Sequence, residues 1–245
     1  MLELKNITKY YGSKCAVSDV TLSFPRGEIV GLFGENGAGK TTLMKCVFDF
    51  HNYSGEITLD GKPITRSNIA KLSFATSEHS FFPDIDAASH RTFYKEHFPN
   101  FKEARFKGLM EFFSLPMHKP IRSFSTGQKN QFEVILSLSQ GAEYIFMDEP
   151  FAGNDLFNRE DFYKLLAGIL EDNETLILST HLIEEVRGFI GRAVLLKKGK
   201  VVGDKSIIDL EESGTDLIDY IKSTYDYRSD RVSKALSDIT GEDKV

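Results

Sequence analysis

Short apolar runs alternate with helical patterns along most of this chain. The run EIVGLF, residues 28–33, is almost entirely apolar, which is typical of a strand buried on both faces of a sheet. Similar runs predict strands at EITL, KLSFAT, YIFM, TLILS and AVLLK, while LELKNITKYY and VTLSF predict early antiparallel strands near a sheet edge. Because helical patterns separate several of these runs, we predict an α/β protein with a mainly parallel sheet.

The region 81–139 has a different pattern and is rich in helix-forming residues. One stripe has the i, i+3, i+4, i+7 spacing of a single helix face, and a similar stripe precedes it. The two stripes are Phe106, Leu109, Met110 and Phe113, and, upstream, Phe93, Tyr94, His97 and Phe98. We predict a helical subdomain inserted between two sheet strands. Core packing is the favoured role of these side chains, and docking of a partner helix is the alternative.

The chain is predicted to form one domain over residues 1–205, with a short extension over 206–245. Within the extension, SIIDLEESGTDLIDYIKSTY has the pattern of one or two short helices, and the polar residues after it predict a loosely held tail.

Composition narrows the class of protein. Hydrophobic residues make up 41% of the 245 residues and charged residues 27%, as in a globular domain with an ample core. The net charge of −6 gives no general attraction to nucleic acid, so no nucleic-acid partner is expected. The only cysteines, Cys15 and Cys46, form no metal-binding or disulfide pattern, which favours a reducing cytoplasm. No apolar run approaches the ~18 residues of a membrane span, and the first residues lack the pattern of a secretory signal.

The segment GENGAGKT, residues 34–41, matches the phosphate-binding pattern G-x-x-x-x-G-K-[ST] in full. It follows a predicted buried strand and precedes a helical stretch. Its glycines let successive N–H groups face a phosphate, Lys40 would reach the β- and γ-phosphates, and the Thr41 hydroxyl would bind Mg²⁺. A glycine-rich turn that merely caps a helix is the alternative. The predicted nucleotide-binding residues are Gly34, Glu35, Asn36, Gly37, Ala38, Gly39, Lys40, Thr41 and Thr42.

The run YIFMDE, residues 144–149, is an apolar strand that ends in two acidic residues. Carboxylates at the carboxyl end of a parallel strand lie in the crevice where α/β sheets bind ligands. We predict that Asp148 holds Mg²⁺, through water, and that Glu149 orients or activates the attacking water. Acids also end strands for purely structural reasons, but the position of this pair after a phosphate-binding loop favours catalysis.

A third segment, SFSTGQ, opens another helical stretch. Its residues Ser125 and Gln128 have the spacing of a helix capping box, and a capped helix start can also bind a phosphate. The local pattern leaves both roles open.

In their order along the chain, GENGAGKT, FSTGQ, YIFMDEP, ND and STH resemble the ATPase domain of ABC transporters over about residues 1–205. The resemblance implies a P-loop fold of the ABC type with an antiparallel β edge, ATP and Mg²⁺ as cofactors, and ATP hydrolysis. It also implies a head-to-tail dimer with a second, identical or different ABC ATPase subunit, in which each ATP lies between one P-loop and the partner's signature segment. The signature residues here are Ser125, Thr126, Gly127 and Gln128.

Further residues match family positions one at a time. Tyr11 matches the aromatic residue that stacks on adenine, with simple packing near an edge strand as the alternative. His181, after TLILST, matches the histidine that contacts the γ-phosphate, and Asp155 matches the loop that signals across the dimer.

Three residues depart from the family pattern. Ser77 stands where the family has a glutamine; it is too short to reach as a glutamine does, although it could meet Mg²⁺ through water. Thr126 stands where the signature usually has glycine, and Asn154 replaces the usual leucine beside Asp155. Because Glu149 and His181 are present, hydrolysis is expected, with its rate and coupling left open.

The resemblance also implies a transmembrane permease as partner, with this chain on the cytoplasmic face of the membrane. The docking surface would include Phe81, Phe82 and the stretch HRTFYKEHFPNFKEARF, which with LMEFFSLP resembles exporters of antimicrobial peptides, peptide toxins or small drugs. Two alternatives remain. One is a weakly catalytic, nucleotide-sensing subunit of an asymmetric pair, which Ser77 and Thr126 favour. The other is a soluble ABC ATPase not engaged in transport, which the acidic charge disfavours.

Overall fold

A computed structural model describes residues 1–150 and 156–226 of the chain. Within these residues, the early part of the chain forms a four-stranded antiparallel sheet. Its strands are β1 (Leu2–Tyr11), β2 (Lys14–Phe24), β4 (Ser54–Leu59) and β5 (Lys62–Pro63). Their spatial order is β2-β1-β4-β5, so β1 lies inside this sheet and only β2 of the two predicted early strands is at an edge.

A second sheet of six strands forms the centre of the described chain. Its strands are β3 (Ile29–Phe33), β6 (Leu72–Ala75), β7 (Tyr144–Asp148), β8 (Thr175–Ser179), β9 (Arg192–Lys197) and β10 (Lys200–Ser206). They lie in the order β10-β9-β3-β8-β7-β6. All neighbours are parallel except β10, which pairs with β9 in the antiparallel direction. The predicted α/β class with a mainly parallel sheet and an antiparallel edge is confirmed.

Helices flank the six-stranded sheet, and three of them lie between β6 and β7, where a helical insert was predicted. The helices are α1 (Lys40–Val47), α2 (Ala87–His97), α3 (Glu103–Phe112), α4 (Thr126–Ser139), α5 (Leu156–Ile169), α6 (Ile183–Val186), α7 (Ile207–Glu212) and α8 (Leu217–Thr224). The last two confirm the short helices predicted after β10. None of the helices described is long and apolar enough to cross a membrane.

Both faces of the six-stranded sheet are covered by apolar side chains, as its unbroken apolar strands require. On β7, Ile145 and Met147 pack with the helices, while Tyr144 and Phe146 pack toward the antiparallel sheet and α1. Because β3, β8 and β7 are parallel neighbours, their carboxyl ends lie at one edge of the sheet.

The helical insert has its own apolar contacts with this core. Phe106, Leu109 and Met110 are at most 2% exposed, so core packing of the α3 stripe is confirmed. The predicted docking surface is wrong in part, because Phe106 and His90 are fully buried and Phe81 is half-buried against the core. Phe82, in contrast, is 51% exposed.

Candidate nucleotide-binding site

An open cleft of about 250 Å³ lies at the carboxyl ends of β3 and β7. Most of the residues predicted to bind nucleotide line it. The lining residues are Tyr11, Lys14, Ala16, Asn36, Gly37, Ala38, Gly39, Lys40, Thr41, Thr42, Asp148 and Glu149. Gly34 and Glu35 are not among the lining residues, and Glu35 lines a smaller cavity with Tyr225.

At its tightest point, the loop between β3 and α1 has a backbone conformation that only glycine adopts readily. Gly39 has a φ of 107°, in the left-handed region, and a Cβ there would lie 2.5 Å from the carbonyl oxygen of Ala16. Helix α1 begins at the next residue, Lys40. The first N–H groups of that helix, which have no partner within it, therefore lie along the cleft and suit an anion.

Lys40 is buried within this loop. Its side-chain Nζ donates to the carbonyl oxygens of Gly34 at 2.6 Å and Glu35 at 3.3 Å. The residue is only 7% exposed, so its charge is held where a phosphate in the loop would lie.

Asp148 ends β7 opposite the start of α1. Thr41 Oγ1 donates to Asp148 Oδ2 at 2.5 Å, and the Ser179 hydroxyl, at the end of neighbouring β8, donates to the other carboxylate oxygen. These are hard oxygen donors of the type that binds Mg²⁺ together with phosphate oxygens. Among residues 1–150 and 156–226, no group of three or more His, Cys, Asp or Glu could hold a metal ion alone. Thr41 and Asp148 supply oxygen donors that fit Mg²⁺ bound together with phosphate oxygens.

Glu149 and His181 contact each other beside this pair. His181 Nδ1 lies 2.9 Å from Glu149 Oε2, and their side chains are 62% and 26% exposed. Glu149 has a φ of 47°, an unfavourable conformation for a glutamate, and its N–H donates to the Ser179 carbonyl at 3.1 Å. Strained backbone of this kind is concentrated at functional sites.

Tyr11 lies at the mouth of the cleft. It is 46% exposed, its ring meets the His51 ring edge-on at 5.4 Å, and Lys9 Nζ lies 5.0 Å from its centroid. An exposed aromatic face beside a phosphate-binding loop is suited to stack on a base.

The signature segment, residues 125–128, starts α4. Ser125 Oγ accepts from Gln128 N at 3.2 Å, and Gln128 Oε1 accepts from Ser125 N at 3.0 Å, so the predicted capping box is present. Ser125 and Thr126 are exposed, and none of the four residues is among those that line the cleft just described.

Ser77 lies just beyond β6, next to the cleft. It lines a narrow cavity of about 10 Å³ together with Asn130, Glu133, Asp148 and Glu149. Two further sequence predictions, for Asn154 and Asp155, concern residues outside those that the structure describes.

Three residues near the cleft were not predicted. Ser179 could have been found from its place at the end of an apolar strand, since such ends meet at one sheet edge. Glu133 lies inside an apolar helix pattern. Tyr225, in the C-terminal extension, has its one hydroxyl donor within reach of the carbonyl oxygens of Leu196 at 3.0 Å and Phe33 at 3.3 Å. Neither Glu133 nor Tyr225 is marked by a local sequence pattern.

A glycine-rich loop joins strand β3 to helix α1, and Thr41 at the start of this helix pairs with Asp148 at the end of β7. A second carboxylate, that of Glu149, follows Asp148. This arrangement defines a P-loop nucleotide-binding protein. A family model described as ABC transporter matches residues 17–152. This match spans more than half of the 245 residues. The chain therefore belongs to the ABC transporter family, as an ATPase and ATP-binding subunit of a membrane transport system.

Two relatives illustrate the range of this family. The manganese transport system ATP-binding protein MntB of Listeria innocua is 30% identical over 208 residues, covering 80% of this chain and 87% of MntB. The lantibiotic transport ATP-binding protein SrtF of Streptococcus pyogenes is 24% identical over 217 residues, covering 84% of this chain and 90% of SrtF.

Solved structures show the same fold. The structure of an ATP-binding subunit of an ABC transporter matches with a TM-score of 0.78 at 21% identity, covering 92% of this chain and 98% of the other. A dimeric post-hydrolysis state of the ATP-binding cassette MJ0796, bound to ADP and Pi, matches with a TM-score of 0.72 at 23% identity, covering 84% and 99%.

Proposed function

We propose that Glu149 activates the water that attacks the γ-phosphate of ATP, and that His181 holds this carboxylate and contacts the same phosphate. The contact that carries the proposal is the 2.9 Å pair between Glu149 Oε2 and His181 Nδ1. Glu149 lines the cleft together with Lys40 and Thr41, so it borders the space where the phosphates of a bound nucleotide would lie.

In the same proposal, Thr41 and Asp148 hold Mg²⁺ and Lys40 binds the β- and γ-phosphates. Bound Mg²⁺ would neutralise negative charge on the phosphates. Ser77 would reach this group only through water, because its side chain is short. Tyr11 would stack on the adenine at the mouth of the cleft.

Steady-state ATP turnover of Glu149→Gln tests this assignment. We expect ATP binding to stay within about twofold of the parent, while turnover falls at least about a hundredfold, as loss of a general base implies. Glu184→Gln is the matched control, because Glu184 is 72% exposed beside the site and pairs only with Arg187 at 3.6 Å among its described ion pairs. Parental turnover in Glu149→Gln would contradict the catalytic role.

The signature segment is proposed to act on nucleotide held by a second ABC ATPase subunit, identical or different. Two observations support this: the exposed start of α4 and its separation from the cleft of its own chain. Ser125, Gly127 and Gln128 would then contact the partner-bound γ-phosphate, with Thr126 beside them. Asp155 is proposed to contact the partner as well.

We further propose that the transport system is an exporter of peptides or small toxic compounds, in which this chain binds a permease at the cytoplasmic face of the membrane. The likeness to the lantibiotic transport protein SrtF supports this substrate class. Phe82 and Phe112, which are 51% and 42% exposed on the helical insert, are suited to contact such a partner. MntB, described as part of a manganese transport system, supplies the competing substrate class.

A chromosomal Glu149→Gln variant in the native host separates these classes. For an exporter, we expect greater sensitivity to antimicrobial peptides with unchanged growth at limiting manganese. A growth defect confined to manganese limitation, with unchanged peptide sensitivity, would overturn the exporter assignment.

A weakly catalytic, nucleotide-sensing subunit is the second candidate. Ser77 and Thr126 favour it, because Ser77 cannot reach as the family's glutamine does, and Thr126 adds bulk where the signature backbone approaches a phosphate. It predicts ATP binding with negligible turnover of the parent chain, with or without its permease.

A further inference from the structure

Helix α4 carries a buried carboxyl group that none of the roles above uses. Glu133 lies about two turns after Ser125 on this helix and is only 2% exposed. Because an unpaired carboxylate is costly to bury, the hydrogen bonds of Glu133 identify what it holds in place.

Glu133 contacts the first part of the connection between β6 and α2. We call this part, residues 76–80, the linking segment. The two carboxyl oxygens of Glu133 accept from the backbone N–H of Ser80 at 3.0 and 2.9 Å. One turn earlier on α4, Asn130 Oδ1 lies 2.8 Å from His79 Nε2. Helix α4 therefore fixes two consecutive residues of the linking segment.

The linking segment is also held from α1, and it carries Ser77 to the cleft. Lys45 on α1 forms an ion pair with Glu78 at 2.5 Å. Ser77, one residue earlier, shares a cavity with Glu133 and Glu149. The linking segment thus runs between a buried carboxyl group and the proposed catalytic carboxylate.

The place of Ser77 depends on the backbone that carries it. Its side chain is one carbon and one hydroxyl, so rotation about a single bond cannot compensate for a displaced main chain. Nearby, His79 has a φ of 58°, in the left-handed region, which is unfavourable for a residue other than glycine. Contacts with α4 are therefore needed to keep the linking segment in this conformation.

We propose that Glu133 is a positioning residue for ATP hydrolysis: by accepting the N–H of Ser80, it fixes the linking segment and so places Ser77 beside Glu149. This role rests on the catalytic function proposed for Glu149 and adds to it a group on the signature helix. The start of α4 and the hydrolytic centre of the same subunit are then joined by one hydrogen-bonded segment.

Two substitutions at position 133 test the role. Glu133→Met keeps the length of the side chain and removes both acceptors, whereas Glu133→Gln keeps one acceptor. We expect kcat for ATP to fall about tenfold in the Met variant, as loss of a hydrogen bond to a carboxylate implies, and to fall less in the Gln variant. KM is expected to stay within about twofold in both. The Met variant is expected to melt at the same or a higher temperature at about pH 8, because it removes a buried charge.

A lower kcat without a lower melting temperature separates positioning from a purely structural role. Ser137→Ala is the matched control, since Ser137 lies one turn further along α4 and donates to Ser73 Oγ at 3.1 Å, away from the linking segment. We expect its kcat to stay within about twofold of the parent. Parental kcat in Glu133→Met, or a loss of kcat that only tracks the loss of folded protein, would overturn the proposal.

Failure of the positioning role can be told apart from failure of the proposed function. Turnover that depends on Glu149 but not on Glu133 removes the positioning role alone, whereas turnover indifferent to Glu149 removes both. Amide hydrogen exchange of the parent chain adds a test that needs no variant. We expect the Ser80 amide to exchange at least about tenfold more slowly than in an unstructured peptide, and exchange at the unstructured rate would overturn the proposal.

Discussion

Replacing Glu133 by Gln is expected to change how the stability of the protein depends on pH. Burial raises the pKa of Glu133 from 4.5 to about 7, although hydrogen bonds from Ser80 and Thr76 favour the charged form and oppose this shift. Between these two values the folded chain binds a proton that the unfolded chain does not. The free energy of unfolding therefore falls as the pH rises through this window, and the loss is complete above about pH 7.

The size of the effect follows from the difference between the two pKa values. At about 1.36 kcal/mol per pH unit, it corresponds to about 3 kcal/mol. Glu133→Gln cannot ionise and does not lose this stability. The free energy of unfolding of the variant minus that of the parent should therefore increase by about 3 kcal/mol between about pH 4.5 and pH 8.

Urea unfolding at a series of pH values measures this difference directly. Glu174→Gln is the control. Burial alone would raise the pKa of Glu174, but hydrogen bonds from Arg105 and Lys102 lower it, so Glu174 stays ionised between about pH 5 and pH 8 in both states. The difference between Glu174→Gln and the parent should be constant over that range. A constant difference for Glu133→Gln would mean that desolvation does not outweigh the hydrogen bonds, and that burial does not raise the pKa of Glu133.

Three further predictions concern the cleft. Lys40→Ala should weaken ATP binding by about 10- to 100-fold in equilibrium titration, because a charge-assisted phosphate contact is lost, and parental affinity would contradict the P-loop assignment. Tyr11→Ala should weaken ATP binding by ~1–3 kcal/mol, while Tyr11→Phe, which keeps the ring, should bind within about twofold; equal losses in both would exclude stacking. Tyr225→Phe should lower the free energy of unfolding by roughly 1 kcal/mol in urea, since the carbonyl oxygens of Phe33 and Leu196 lose the single hydroxyl donor that they share, and no loss would show that this contact is not stabilising.

The features that the sequence predicted are those with a short local cause. The P-loop could be located because its glycines, Lys40 and Thr41 fall within eight consecutive residues, between a strand and a helix. The capping box at Ser125 also depends only on residues three apart. For such segments, pattern and structure agree because the interactions that stabilise them lie within the segment.

The features that the sequence did not predict depend on contacts between distant residues. Glu133 meets Ser80 at a separation of 53 residues, and Tyr225 meets Phe33 at a separation of 192. Strand β10 was also not predicted, because it is a half-exposed edge strand with few apolar residues. The exposure of each residue on the helical insert likewise depends on which face packs on the core, so the docking stretch could not be divided into its buried and exposed members.

Glu149 is proposed to activate the water that hydrolyses ATP held between two subunits. The most direct measurement is the mass and nucleotide content of purified Glu149→Gln after incubation with ATP and Mg²⁺, by light scattering and by chromatography of the released nucleotide. We expect a dimer, formed with an identical subunit or the natural partner, that contains two intact ATP molecules. A chain that stays monomeric at saturating ATP would exclude the ATP-bound dimer. A complex in which ATP is converted to ADP at the parental rate would exclude the role of Glu149 in hydrolysis.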